Sequence, residues 1–118
     1  MKGRPYVCGL DAAVDIIGGK WKVLIVWSLQ ESAMRFGELK RSVPGVSEKV
    51  LVQQLRELEA AGVVRRQVYD ELLPRVEYSL TQRGVELSVA LEPLGRWGTV
   101  QVRRMSGVEQ EEMVAVRV

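Results

Sequence analysis

RFGELKRSVPGVSEKVLVQQLRELEAAGVVRRQVYDELLPRVEYSLT, running from Arg35 to Thr81, is the stretch whose reading decides the fold. Phe36, Leu39 and Val43 recur at spacings of three and four, which places them on one face of a short helix, with Lys40 and Arg41 pointing elsewhere. Pro44-Gly45 makes a turn. Ser47 then offers an N-cap, and Leu51, Leu55 and Leu58 form the buried stripe of a second helix reaching Ala61. Gly62 is placed to stop it. Val63, Val64, Val68 and Tyr69 are strand formers. After a loop near Asp70 to Pro74, Val76, Tyr78 and Leu80 alternate with Arg75, Glu77 and Ser79, as in a second strand. Helix, tight turn, helix and ribbon in that order make a helix-turn-helix with a β wing. The second helix of such a unit is shaped to enter a DNA major groove.

Outward from that stretch, the pattern predicts flanking helices. One starts near Asp11, holds Ala12, Ala13, Ile16 and Ile17, and ends at Gly18-Gly19. The next runs from Lys20 to about Glu31 and is apolar nearly all round. Such a helix sits inside a core, or between a core and a partner subunit. Thr81 caps a last helix, with Val85, Leu87, Leu91 and Leu94 expected inward and Pro93 expected to kink or end its first part. Trp97, Val100 and Met105 can extend it. Residues 1–8 read as a loose arm, and residues 106–118 as a tail whose order the sequence leaves open. The expected fold is therefore α+β, mostly α: one winged helix-turn-helix domain over residues 1–118, with a two-stranded wing.

Composition excludes several chemistries. Apolar residues are 47%, which suits a globular chain. There is no histidine, hence no His-dependent triad or imidazole metal site, and one cysteine, hence no Cys-based zinc or iron–sulfur site within one chain. No glycine-rich phosphate loop is present; Gly18-Gly19-Lys20 lacks the upstream glycines. No cofactor and no metal are expected, and an enzyme is a poor reading without an acid–base constellation. The longest apolar run, Val23 to Trp27, is too short for a membrane span, and Met1 to Cys8 has no signal-peptide core, so a cytoplasmic protein with a reduced thiol is expected. The net charge is +2; residues 35–83 carry nine basic and seven acidic groups, a weak lean toward nucleic acid.

With the leucine stripe inward, Lys49, Gln53, Arg56 and Ala60 fall on the opposite side of the second motif helix, with Val50 and Glu57 on a shoulder. Gln53 suits adenine N6 and N7; Lys49 suits guanine or a phosphate; Val50 suits a thymine methyl. Gln54 joins this candidate set. Ser47 at the helix start suits a phosphate, as do Arg35, Arg56, Arg65, Arg66 and Arg75. The plainer alternatives are an ordinary solvated helix face and arginines that guard strand edges against aggregation.

These residues carry a resemblance. Cys8, IIGGKWKVLIVWSL (Ile16 to Leu29), RFGELKRSVPGVSEKVLVQQLRELEAAGVV (Arg35 to Val64), VYDELLPRVEYSLTQRG (Val68 to Gly84) and LGRWG (Leu94 to Gly98) stand in the order and spacing of HxlR-type winged-helix regulators, relatives of the MarR-type proteins. The chain resembles that family over about residues 8–98. The resemblance implies a homodimeric repressor on a palindromic double-stranded DNA operator, Ser47 to Arg56 in the recognition helix and Arg75 at the wing. It also implies that the first and last helices build the dimer, with Leu10, Ile16, Trp21, Leu91, Leu94 and Trp97 as candidate interface residues. Two departures stand out: Gly9 follows the cysteine where many members have proline, and the wing loop Tyr69-Asp70-Glu71-Leu72-Leu73-Pro74 is proline-poor and acidic.

Several members sense electrophiles or oxidants through the cysteine that aligns with Cys8. Cys8 stands just ahead of a predicted helix, whose N-terminal end favours an anion. With no second cysteine, oxidation leads to an intersubunit disulfide, a mixed disulfide or a sulfenic acid. The alternative is a half-buried cysteine that fills space. Trp21, Trp27 and Trp97 read first as core or interface, and second as a pocket for a small-molecule effector. A rival of another class is a winged-helix module that docks proteins and leaves DNA alone.

Overall fold

A computed structural model describes residues 5–69 and 72–107. In chain order these form α1 (Gly9–Ile17), α2 (Lys20–Ser28), β1 (Met34–Arg35), α3 (Phe36–Ser42), α4 (Glu48–Ala60), β2 (Val64–Tyr69), β3 (Arg75–Leu80) and α5 (Gln82–Ser106). The winged helix-turn-helix is α3, the Pro44-Gly45 turn, α4 and the β2–β3 ribbon. α4 stands where the sequence places it. The Ser47 hydroxyl accepts a hydrogen bond from the Val50 N–H at 3.1 Å. Leu51, Leu55 and Leu58 are at most 1% exposed. Each such burial is worth about 1.5–3 kcal/mol. At the other end Gly62 adopts φ 77°. The Gly62 N–H bonds to the Glu59 carbonyl and the Val63 N–H to the Leu58 carbonyl, a Schellman stop that only a left-handed residue makes cheaply.

The sheet has one strand more than expected. Its order is β1-β3-β2, antiparallel throughout. Met34 pairs with Tyr78 and Arg35 with Glu77. Two residues carry no readable period, so β1 exists only because β3 is there to receive it. Its demand on the chain also shortens α2, which ends at Ser28 and not near Glu31, leaving room to turn into Met34. α2 itself is central: Ile25 and Val26 have no exposed surface. They meet Leu39, Val43, Leu51, Leu55 and Leu58 in the one core cluster among the described residues.

Thr81 ties the wing to the helices. Its hydroxyl lies 2.6 Å from the Gly62 carbonyl and 3.2 Å from that of Val63, and accepts from the Gly84 N–H at 3.1 Å. Gly84 passes so close to this corner that a Cβ there would sit 2.2 Å from the Val63 carbonyl oxygen.

α5 corrects two expectations. Of the kink or end expected at Pro93, the helix takes no end: it runs 25 residues, to Ser106, through Trp97, Val100 and Met105. Pro93 is exposed, as is Val89, whose carbonyl the missing N–H would have met, so water can take that carbonyl. Val85 and Leu94 do not face inward: they are 44% and 57% exposed. The buried line is Gly84, Ser88, Leu91, because Gly84 must meet the Thr81 corner and so sets the phase of the helix. Of the expected arm, Tyr6 donates its hydroxyl proton to Asp15, and the Val7 N–H bonds to the Asp11 carboxylate. The acidic wing-loop pair, Asp70 and Glu71, and the tail beyond Gly107 lie outside the described residues.

Candidate nucleic-acid interface

α4 presents Lys49, Gln53 and Arg56 to solvent, while Val50 and Gln54 are half-buried. Val50 packs against the core cluster, which limits what it can offer to a base. The Ser47 hydroxyl accepts from the Val50 N–H and keeps its proton to donate. Arg35 is the N-cap residue of α3; its backbone N–H bonds to Glu38 Oε1 at 2.8 Å, which leaves the guanidinium free of that capping task.

The wing divides the arginines. Arg66 is paired with Tyr78 across the ribbon, and Arg65 with Ser79. Neighbours on a strand point to opposite faces. Arg66 therefore turns toward α4, where it lines a groove of about 390 Å³ with Arg56, Val52, Glu59 and Tyr78. Arg65, although exposed, faces away from that groove. Arg75 is more committed than the sequence suggested. Its guanidinium lies 4.4 Å from the centre of the Tyr69 ring, its partner in the ladder, and its Nε is 3.5 Å from Glu77 Oε2. A cation held by a ring and a carboxylate has less to give a phosphate.

On the other flank of α4 lies a second groove, of about 580 Å³, lined by Asp15, Ile16, Lys22, Gln53 and Glu57. Here, among the described residues, Glu57 accepts from a lysine and a glutamine. Lys22 Nζ, on α2, bonds to Oε1, and Gln53 Nε2 bonds to Oε2 at 2.7 Å. Sequence reasoning missed Lys22, one of two lysines in an otherwise largely apolar helix and 35 residues from its partner.

Cys8 is exposed, which removes the reading of a space-filling thiol. It is the N-cap residue of α1, with extended backbone, and makes no side-chain cap bond. Of the candidate interface residues, Leu10 (73%), Leu94 (57%) and Trp97 (63%) are exposed. Ile16 and Trp21 are half-buried against the chain's own core. Leu91 is corrected: it is 6% exposed and belongs to that core, because it shares the buried line of Gly84 and Ser88. It floors a small apolar groove of about 230 Å³ between α2 and α5, walled by Val23, Leu24, Trp27 and Leu94. Val89, Val102 and Met105 extend the exposed apolar strip along α5. Among the described residues no helix is long and apolar enough to cross a membrane.

The family model described as HxlR-like helix-turn-helix matches residues 16–106. An uncharacterized HTH-type transcriptional regulator of Methanothermobacter thermautotrophicus is 42% identical over 106 residues, 90% of this chain and 77% of that protein. Among solved structures, the redox regulator HypR in its reduced form superposes with a TM-score of 0.78 at 36% identity, covering 85% of this chain and 99% of that one. Diamide-treated YodB from Bacillus subtilis superposes with a TM-score of 0.68 at 32% identity, over 79% of this chain and 93% of that one.

Proposed function

The chain belongs to the HxlR-like helix-turn-helix family and is a transcriptional regulator of the helix-turn-helix type, and from that premise we propose that it is a homodimeric repressor of a palindromic operator. α4 enters the major groove of each half-site, the two half-sites lying about one helical turn apart. Lys49 and Gln53 read base edges, with Val50 at the margin. Arg56 and Arg66, which line one groove, neutralise phosphate together. Ser47 and Arg35 add backbone contacts, and Arg65 and Arg75 contribute less. The observation that carries this reading is the outer face of α4: three long polar side chains stand clear of the core, on a helix pinned by a cap, a stripe and a Schellman stop.

The exposed apolar strip of α5, with Leu10 and Val14 of α1, supports a second copy as partner. Repression then follows from a dimer occupying DNA that polymerase must cross.

Cys8 is the thiol through which oxidants or electrophiles release the protein from DNA. Its exposure supports this, as do two structural relatives, one a redox regulator in its reduced form and the other treated with diamide. Two thiols, one from each subunit, would give up two hydrogens to diamide and form an intersubunit disulfide.

Selection of bound fragments from genomic DNA by the purified protein tests the whole. One enriched palindrome under reducing conditions is the expected result; no enriched sequence sinks the regulator mechanism and favours a protein-docking module. Diamide is expected to abolish the enrichment for the wild type and to leave Cys8→Ser bound. Unchanged binding by the treated wild type removes Cys8 from the mechanism.

A further inference from the structure

Base reading by a glutamine depends on how its amide is turned. A primary amide has one N–H on the side of its carbonyl oxygen and one on the far side. Recognition of adenine uses the oxygen together with the near N–H as a single edge. The far N–H is left over. An amide free to rotate presents that edge only part of the time.

In this chain the Gln53 amide is not left free. Its Nε2 donates to Glu57 Oε2 one helical turn along, at 2.7 Å. Glu57 is itself held: its other oxygen accepts from Lys22 Nζ. Lys22 is the anchored member, its side chain 12% exposed against 45% for Glu57. It rises from α2, between Trp21 and the fully buried Ile25 and Val26. A chain of contacts thus runs from the rigid core helix through a carboxylate to the amide on the outer face of α4. An intrahelical Gln–Glu pair alone is weak and exposed. Fixed at its carboxylate by a half-buried lysine, it becomes directional, because each oxygen of Glu57 has a donor.

We infer that Lys22 and Glu57 are positioning residues for base recognition: they hold the Gln53 amide so that its oxygen and near N–H face the DNA. Neither needs to touch a base. The inference rests on the proposal that α4 reads a major groove, and it adds that part of the sequence preference is set on α2. Loss of Lys22 removes the ammonium from Glu57 Oε1 and so loosens the carboxylate that holds the Gln53 amide.

Two measurements separate this from a merely structural salt bridge. In the free protein, the side-chain amide resonances of Gln53 are assigned with Gln53→Ala and followed in Lys22→Met, Lys22→Arg and Glu57→Gln. Lys22→Met is expected to shift them and to make them markedly more mobile on the fast timescale, with Lys22→Arg largely restoring them. Unmoved resonances in folded Lys22→Met overturn the inference, whatever happens on DNA. Glu57→Gln keeps the side-chain shape and supplies a second test should Lys22→Met fold poorly. On DNA, Gln53→Ala identifies the base pair read at that position. There Lys22→Met is expected to lower discrimination against the wrong bases about five- to tenfold, a fraction of what a full bidentate contact supplies. Discrimination elsewhere and the salt dependence should stay as in the wild type, and Lys22→Met should add nothing in a Gln53→Ala background. An equal loss of affinity for all sequences, or no change in discrimination, contradicts the inference. Failure of the wild type to prefer any sequence overturns the regulator mechanism itself, leaving the free-protein result to judge the Lys22–Glu57–Gln53 linkage.

Discussion

Two regions of this molecule dispose of their apolar residues in opposite ways. In the motif, α3, α4 and the ribbon, the large apolar side chains of the helices turn inward. Leu39, Leu51, Leu55 and Leu58 are at most 1% exposed, and the outer face is left to lysine, glutamine and arginine. Along one side of α1 and α5 the reverse holds. Leu10, Val14, Val89, Leu94, Trp97, Val102 and Met105 are each more than half exposed. The first region completes its core within one chain and offers a charged polymer a polar face. The second leaves a hydrophobic strip exposed among the described residues, a kind of surface that favours another apolar partner. The difference teaches that one chain carries two faces of unlike physics, and that each should fail in its own way.

The largest effect is expected where the second region is broken. Trp97→Asp puts a charge into the apolar strip. It should turn a dimer into a monomer in sedimentation and weaken operator binding about a hundredfold, since the second half-site no longer adds to the first. A Trp97→Asp protein that still sediments as a dimer would place the interface elsewhere. Next come two changes inside the motif. Leu55→Ala, at 1% exposure, should lower unfolding free energy by about 2–5 kcal/mol. A loss below 1 kcal/mol in urea titration would mean that the core collapses around the gap. Gly84→Ala must displace the Val63 carbonyl, 2.2 Å from the new Cβ. The expected penalty is about 1–3 kcal/mol, with a lower melting temperature as the readout; an unchanged one would show that the corner yields freely. The smallest effect belongs to the polar face. Arg66→Ala should reduce the salt slope of operator binding by about one and leave stability alone. Arg65→Ala should change the slope less, because Arg65 faces away from the Arg56 groove. Equal slopes for the two variants would erase that distinction.

Much of the motif was legible because its signals are local. α4 has a cap, a stripe of period 3.6 and a glycine stop within sixteen residues, and the structure honours each. What escaped notice depends on partners far along the chain. β1 is two residues that become a strand only against Tyr78 and Glu77. The phase of α5 is set by the contact of Gly84 with Val63, not by its own pattern; hence Val85 and Leu94 face out while Leu91 faces in. Pro93 left open a kink or an end because the rule for proline takes no account of which side of the helix faces water. Of the candidate site, the outer residues of α4 were visible from spacing. The parting of Arg65 from Arg66, the hold of Tyr69 and Glu77 on Arg75, and the Lys22–Glu57 pair all need tertiary geometry.

The corner at Thr81 separates aim from reach. Its hydroxyl bonds the end of α4, through Gly62 and Val63, to the start of α5, through Gly84, so the root of the ribbon takes its bearing from two helices at once. Nothing at that root depends on how many residues join Tyr69 to Arg75. Insertions and deletions at the far end can therefore lengthen or shorten the wing while its direction stays put. On the proposed mode of DNA binding, such a joint would let edits to a loop change how far the wing extends along the DNA flank, with α4 left undisturbed.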